Sequence, residues 1–183
     1  MIEAFLATDM QSDIEERQEG KIVAEGFQLA LIRSWVRAHR GGFVMSFPPR
    51  RVNNVYLDTP DLRWLEDNLA GISDRRKVRF RWYGDEVSGI EGTIEVKRRK
   101  NLRSWKVAYP VSRRFNFHDG IRWADFVAVL TDDLPVRIKA EMGTGWWPIM
   151  INRYSREYYA TPDGEVRVTI DYAQELYDQR LSG

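Results

Sequence analysis

Cysteine is missing from all 183 residues, and this excludes disulfides, thiolate metal sites and a cysteine nucleophile. Charge of one sign is also lacking: 28 Lys and Arg against 27 Asp and Glu leave a net +1. The molecule as a whole is no polycation, so any strong anion site must come from local arrangement. No apolar run approaches the roughly 18–20 residues that a membrane span needs. The start, MIEAFLATDMQSDIEE, has neither a basic region nor a long apolar core, so no signal peptide is read there and a cytoplasmic location is expected. Neither GxxxxGK[ST] nor GxGxxG occurs, which leaves nucleotide binding by those loops unsupported. Aromatic residues, by contrast, are plentiful, at 7 Trp, 8 Tyr and 8 Phe. The length suits one domain.

Residues 1–14 read as a flexible leader, and the domain is expected over 15–183. RQEGKIVA (17–24) alternates and predicts a strand, and GFQLALIRSWVRAH (26–39) has helical spacing. Gly41-Gly42 ends that helix, and Pro48-Pro49 extends the loop after it. Strands are predicted over VNNVYLD (52–58), RRKVRFRWYG (75–84), GTIEVKRRK (92–100) and SWKVAYPV (104–111). Thr59-Pro60-Asp61 opens a short helix, LRWLEDNLAG, with Asp58 or Thr59 as its cap. A second amphipathic helix is expected over 119–131. WWPIMINRYSREYYA and GEVRVTID then form a hairpin around Thr161-Pro162-Asp163-Gly164, and the tail AQELYDQRLSG is ambiguous. About seven strands in runs, with two or three helices, predict an α+β fold with a mainly antiparallel sheet.

KVRFRWY (77–83) alternates cation and bulky apolar residue, so Lys77, Arg79 and Arg81 share one face and Val78, Phe80 and Trp82 the other. The split recurs. Thr93, Glu95, Lys97 and Arg99 oppose Ile94, Val96 and Arg98; Arg167, Thr169 and Asp171 oppose Val166, Val168 and Ile170; Asn152, Tyr154 and Arg156 share a face. A wet charged face is the plain reading of any one strand. For the set, a sheet curved into a barrel with its charges inward accounts better for such dense charge and such bulky outward residues. Glu19, Glu95 and Asp171 are too few to neutralise the cations, and the surplus asks for a polyanion such as phosphate. The carboxylates suit Mg²⁺ or Mn²⁺. KRRKNLR (97–103) would also pass as a nucleic-acid patch, but Lys97 already belongs to an alternating strand, so no nucleic-acid partner is expected. His118 has no nucleophile near it in sequence and reads as a loop residue before a helix.

The order RxExK (17–21), VNNVYLDTPDLRWLEDNLAG (52–71), KVRFRWYG (77–84), EVKRRKN (95–101), Lys106, YSR (154–156) and VRVTID (166–171) resembles the vacuolar transporter chaperone type of polyphosphate polymerase domain. That family belongs to the triphosphate tunnel metalloenzymes, the CYTH-like superfamily. The resemblance implies a tunnel barrel with flanking helices that transfers the ATP γ-phosphoryl group to a polyphosphate chain, using a divalent metal, Mn²⁺ or Mg²⁺. It implies ATP and inorganic polyphosphate as partners, and leaves room for a membrane partner. Carried over by position, Arg79, Arg81 and Lys97 are the catalytic cations. Lys21, Lys77, Lys106, Tyr154, Arg156 and Arg167 are the phosphate contacts, and Glu19, Glu95 and Asp171 the metal candidates.

The family continues beyond VRVTID with further strands, which carry a metal-binding glutamate in an ExK setting and then a Ser-Lys pair. This sequence ends at Gly183 without them, so the expectation is a tunnel domain that lacks its C-terminal strands and stays incomplete or open. Two rivals follow: an inorganic triphosphate hydrolase of the same fold, and a non-catalytic module binding polyphosphate or nucleic acid.

Overall fold

A computed structural model describes residues 19–117 and 121–180. The expected leader, Arg17 and His118 lie outside the described residues. A 3-10 turn, Gly26–Gln28, leads into α1 (Leu29–Ala38), followed by β1 (Val44–Asp58), α2 (Arg63–Leu69), β2 (Asp74–Tyr83), β3 (Ile90–Lys100) and β4 (Arg103–Phe115). Then come α3 (Trp123–Asp133), α4 (Val136–Met142), β5 (Trp147–Ala160) and β6 (Arg167–Asp178). The strands form one six-stranded sheet in the order β4-β3-β2-β1-β5-β6, with every neighbouring pair antiparallel. The fold is therefore α+β, and among the described residues β4 and β6 are free edges, so the barrel-like sheet is open.

Strand alternation decides which side chains are buried. Val55, Phe80, Ile94 and Val107 stand on one face and join a core with Phe115, Phe117, Trp123, Phe126, Leu130 and Met142. At its centre Phe80 is fully buried, with the Phe115 ring 5.1 Å away and the Phe126 ring 5.7 Å away, both edge-on. Gly92 lets β3 cross this ring closely, because a Cβ there would sit 2.3 Å from Phe80 Cζ. A smaller cluster of Val36, Tyr159 and Ile170 fixes α1 over β5 and β6. There Arg33 is ion-paired to the buried Glu157, which also accepts a 2.8 Å hydrogen bond from Tyr159 Oη. Phe27 of the 3-10 turn and Leu31 and Trp35 of α1 are left exposed.

Two expectations need correction, and the ambiguous tail takes a definite form. Residues 19–24 form no strand: Ile22 and Val23 are adjacent, so extended chain would split them between faces, and both are almost fully exposed. Pro48-Pro49 lies inside β1 rather than in a loop. β1 pairs with β5 from Val44 but with β2 only from Val52, so the prolines sit where one side of the strand has no ladder to supply. The tail continues β6 to Asp178 past Ala173, whose φ of 51° and the accompanying register shift interrupt the alternation. The hairpin turn is as expected, with Gly164 at φ 75° and Asp163 accepting from Thr161 Oγ1 and Glu165 N.

Candidate anion-binding site

The face opposite the core collects the cations. Register sets Arg81 beside Asn54 on β1 and Thr93 on β3, and Arg79 beside Tyr56 and Glu95. Asn54 lies in turn beside Asn152 of β5. Glu95 is the hub. Its Oε2 accepts from Arg79 Nε at 2.7 Å and lies 3.6 Å from Arg81 Nη1, while its Oε1 accepts from Lys106 Nζ at 2.7 Å. Arg81 and Glu95 are each only 8% exposed, so a charge left unpaired there would be costly. Burial alone would raise the Glu95 carboxyl, but the Lys106 hydrogen bond and the charges of Arg79 and Arg81 outweigh it and hold it below the usual carboxylate range.

Neutral side chains orient the guanidinium groups. Arg81 Nε donates to Asn54 Oδ1 at 2.8 Å and its Nη2 to Tyr154 Oη at 3.4 Å, and Asn54 Nδ2 donates to Asn152 Oδ1 at 3.2 Å. Arg79 Nη1 reaches Tyr56 Oη at 3.5 Å. Burial pushes the Tyr154 phenol up, further from ionisation. Arg156, whose guanidinium carbon stands 5.2 Å from the Tyr154 ring centre, forms a two-bond fork on Asp171 at 2.6 and 2.7 Å.

Three cations thus meet one carboxylate, and more positive charge lies alongside. Lys77, Lys97 and Lys106 are register neighbours across β2, β3 and β4, a row of like charges on one face. Lys77 and Lys97 are exposed and have no carboxylate partner among the described residues. Like charges opposite one another destabilise a sheet unless an anion lies against them. Arg167 stands on the same face of β6 as Asp171 but four residues further along, opposite Ala160.

The structure brings Arg79, Arg81, Lys97, Lys77, Lys106 and Tyr154 together, with Arg156 adjoining and Arg167 peripheral. Glu19 and Lys21 do not reach this face; they form an exposed ion pair of 3.5 Å ahead of α1. The three metal candidates are each taken up by cations: Glu95 by Arg79 and Lys106, Asp171 by Arg156 and Glu19 by Lys21. Among the described residues no group of three His, Asp or Glu converges to hold a cation. Glu95, the central carboxylate, is already held by Arg79 and Lys106, so the described residues alone do not fit a resident metal.

Asn54, Asn152 and Tyr56 are site residues that the motif reading missed. The signal was present in VNNVYLD, since consecutive asparagines inside a strand are rare unless each has a buried partner. Asn53 and Asn54 are both fully buried, and Asn53 Nδ2 donates to the Gly84 carbonyl at 2.8 Å. Asp58 is the cap of α2: its Oδ1 accepts from Trp64 N and its Oδ2 from Leu65 N, both at 2.9 Å.

No helix among the described residues is long and apolar enough to cross a membrane. A comparison with curated proteins returns no match. The sequence profile of the VTC domain matches residues 6–179, almost the whole chain. The chain therefore belongs to the VTC domain family, a CYTH-like tunnel fold.

Proposed function

We propose that this domain transfers the γ-phosphoryl group of ATP to a growing inorganic polyphosphate chain. The observation that carries this reading is the cation surplus around Glu95, where Arg79, Arg81 and Lys106 share one carboxylate beside Lys77 and Lys97, which have no carboxylate partner among the described residues. In the reaction a terminal oxygen of the polyphosphate attacks the γ-phosphorus, the bond to the β-phosphate oxygen breaks, and ADP leaves with that electron pair. Such a transfer needs little covalent help from protein; positioning and charge neutralisation lower most of the barrier. Arg79, Arg81 and Lys97 act on the transferring group, while Lys77, Lys106, Tyr154, Arg156 and Arg167 hold the flanking phosphates. Domains of this family generally depend on a divalent cation, which when bound neutralises phosphate charge. The steps assigned here rest on the protein's own cations.

Incubation of the purified chain with ATP and Mn²⁺ tests the reading. Long-chain polyphosphate with ADP supports it, and phosphate release from inorganic triphosphate without chain growth replaces it with a hydrolase. The absence of a three-ligand cation cluster among the described residues favours a second reading, a module that binds polyphosphate without turning it over. Tight binding with no product would establish that one.

A further inference from the structure

At one end of the cationic face a cavity of about 560 Å³ opens between α2, the end of β1, the start of β2 and β5, and the end of β6. Its walls are chiefly apolar, with Leu62 just ahead of α2, Leu65 on α2, Met150 from β5, Leu176 from β6 and the ring of Tyr56, and the Asp178–Arg180 ion pair also lines it. Lys77, an exposed residue, also lines it. The size lies within the range of small-molecule sites. Leu65 and Leu176 are 43% and 62% exposed, so this wall is wet when empty. Polyphosphate has no apolar surface to place there.

The cavity is joined directly to the phosphate cluster. Tyr56 forms its wall and also meets Arg79 at 3.5 Å through its hydroxyl. Lys77 is two residues from Arg79 on the same face of β2, about 7 Å along the strand. A ligand filling both places has a flat apolar group at one end and phosphates at the other. We propose that this cavity takes the base of the nucleoside triphosphate, with Lys77 at the junction between nucleoside and phosphates. α2 is then the element that distinguishes ATP from inorganic triphosphate. The proposal rests on the reading of the basic face as a triphosphate site.

The test is calorimetric titration of the chain with ATP and, separately, with inorganic triphosphate, repeated on a Leu65→Ser/Leu176→Ser double variant. Both residues are exposed, so the core is spared, and the unfolding midpoint checks this. ATP is expected to bind the unaltered chain about tenfold more tightly than triphosphate, the usual order for burying one base. The double variant should lose that advantage while its triphosphate affinity stays within about twofold. Equal affinities in the unaltered chain overturn the base site and leave the phosphate site standing. So does a double variant that still prefers ATP, or one that weakens both ligands alike. Failure of the unaltered chain to bind either ligand overturns both readings.

Discussion

Each arginine of the site is defined by what holds it. Arg79 is the better probe of anion binding, because Arg81 is buried and tied to Asn54, Tyr154 and Glu95. Arg79→Ala should weaken polyphosphate binding by about tenfold to a hundredfold, the worth of one charge-assisted hydrogen bond or two, with the fold intact. Affinity unchanged in a competition assay would remove Arg79 from the site. Glu95→Gln works in two directions. It releases Arg79 and Lys106 to an incoming anion, so polyphosphate affinity should rise, while loss of the buried countercharge should cost about 3 kcal/mol of stability. The same carboxylate predicts a pH effect. Because its folded-state proton affinity is depressed, the unfolded chain binds the proton more readily. The stabilisation is therefore complete above the ordinary glutamate value of about 4.3 and drains away as pH falls through the lower folded value. Urea midpoints near pH 7 and at about pH 3 should differ less in Glu95→Gln than in the unaltered chain.

At the scale of elements, β2 and β3 form the platform, and Gly92 sets how closely their layer can pack. A Cβ at that position meets the Phe80 ring and the Arg81 carbonyl, at 2.3 and 2.8 Å. Gly92→Ala should therefore cost about 1–3 kcal/mol, read as a lower denaturation midpoint, and should loosen Arg81 with it. Which elements were legible follows from how their signals are written. KVRFRWY showed its strand and both its faces because a strict period of two needs no partner to be read. α4 was hidden because seven residues after Pro135 carry too short a pattern, and their burial depends on Ile138 and Met142 meeting a distant core. The cations that share a face within β2 and within β3 could be named from strand alternation. The Glu95 hub could not, since its bonds to Arg79 and Lys106 cross between strands whose register the sequence does not state. The early expectation for Glu19 and Lys21 rested on alternation too, but Ile22 and Val23 give that stretch no single apolar face to bury.

On the scale of the whole molecule, a net charge of +1 sits with a strongly cationic face, so attraction to polyanions is local and short-ranged. The logarithm of polyphosphate affinity should fall linearly with that of salt concentration, and Lys77→Ala and Lys97→Ala should each reduce the slope by about one. Slopes that do not move with either change would mean that the lysine row takes no part. The open sheet has a further consequence. A long flat edge invites a second molecule to add its own strand, the first step of aggregation. β4 counters this with Pro110, which has no N–H to offer, and with Arg103, Arg113 and Arg114 along the same strand. β6 counters it with the left-handed kink at Ala173, which interrupts the regular extended course of the strand. The two borders are unlike each other and poorly matched for joining end to end, so the interruptions that obscured the strand pattern also guard the sheet against polymerising with its own copies.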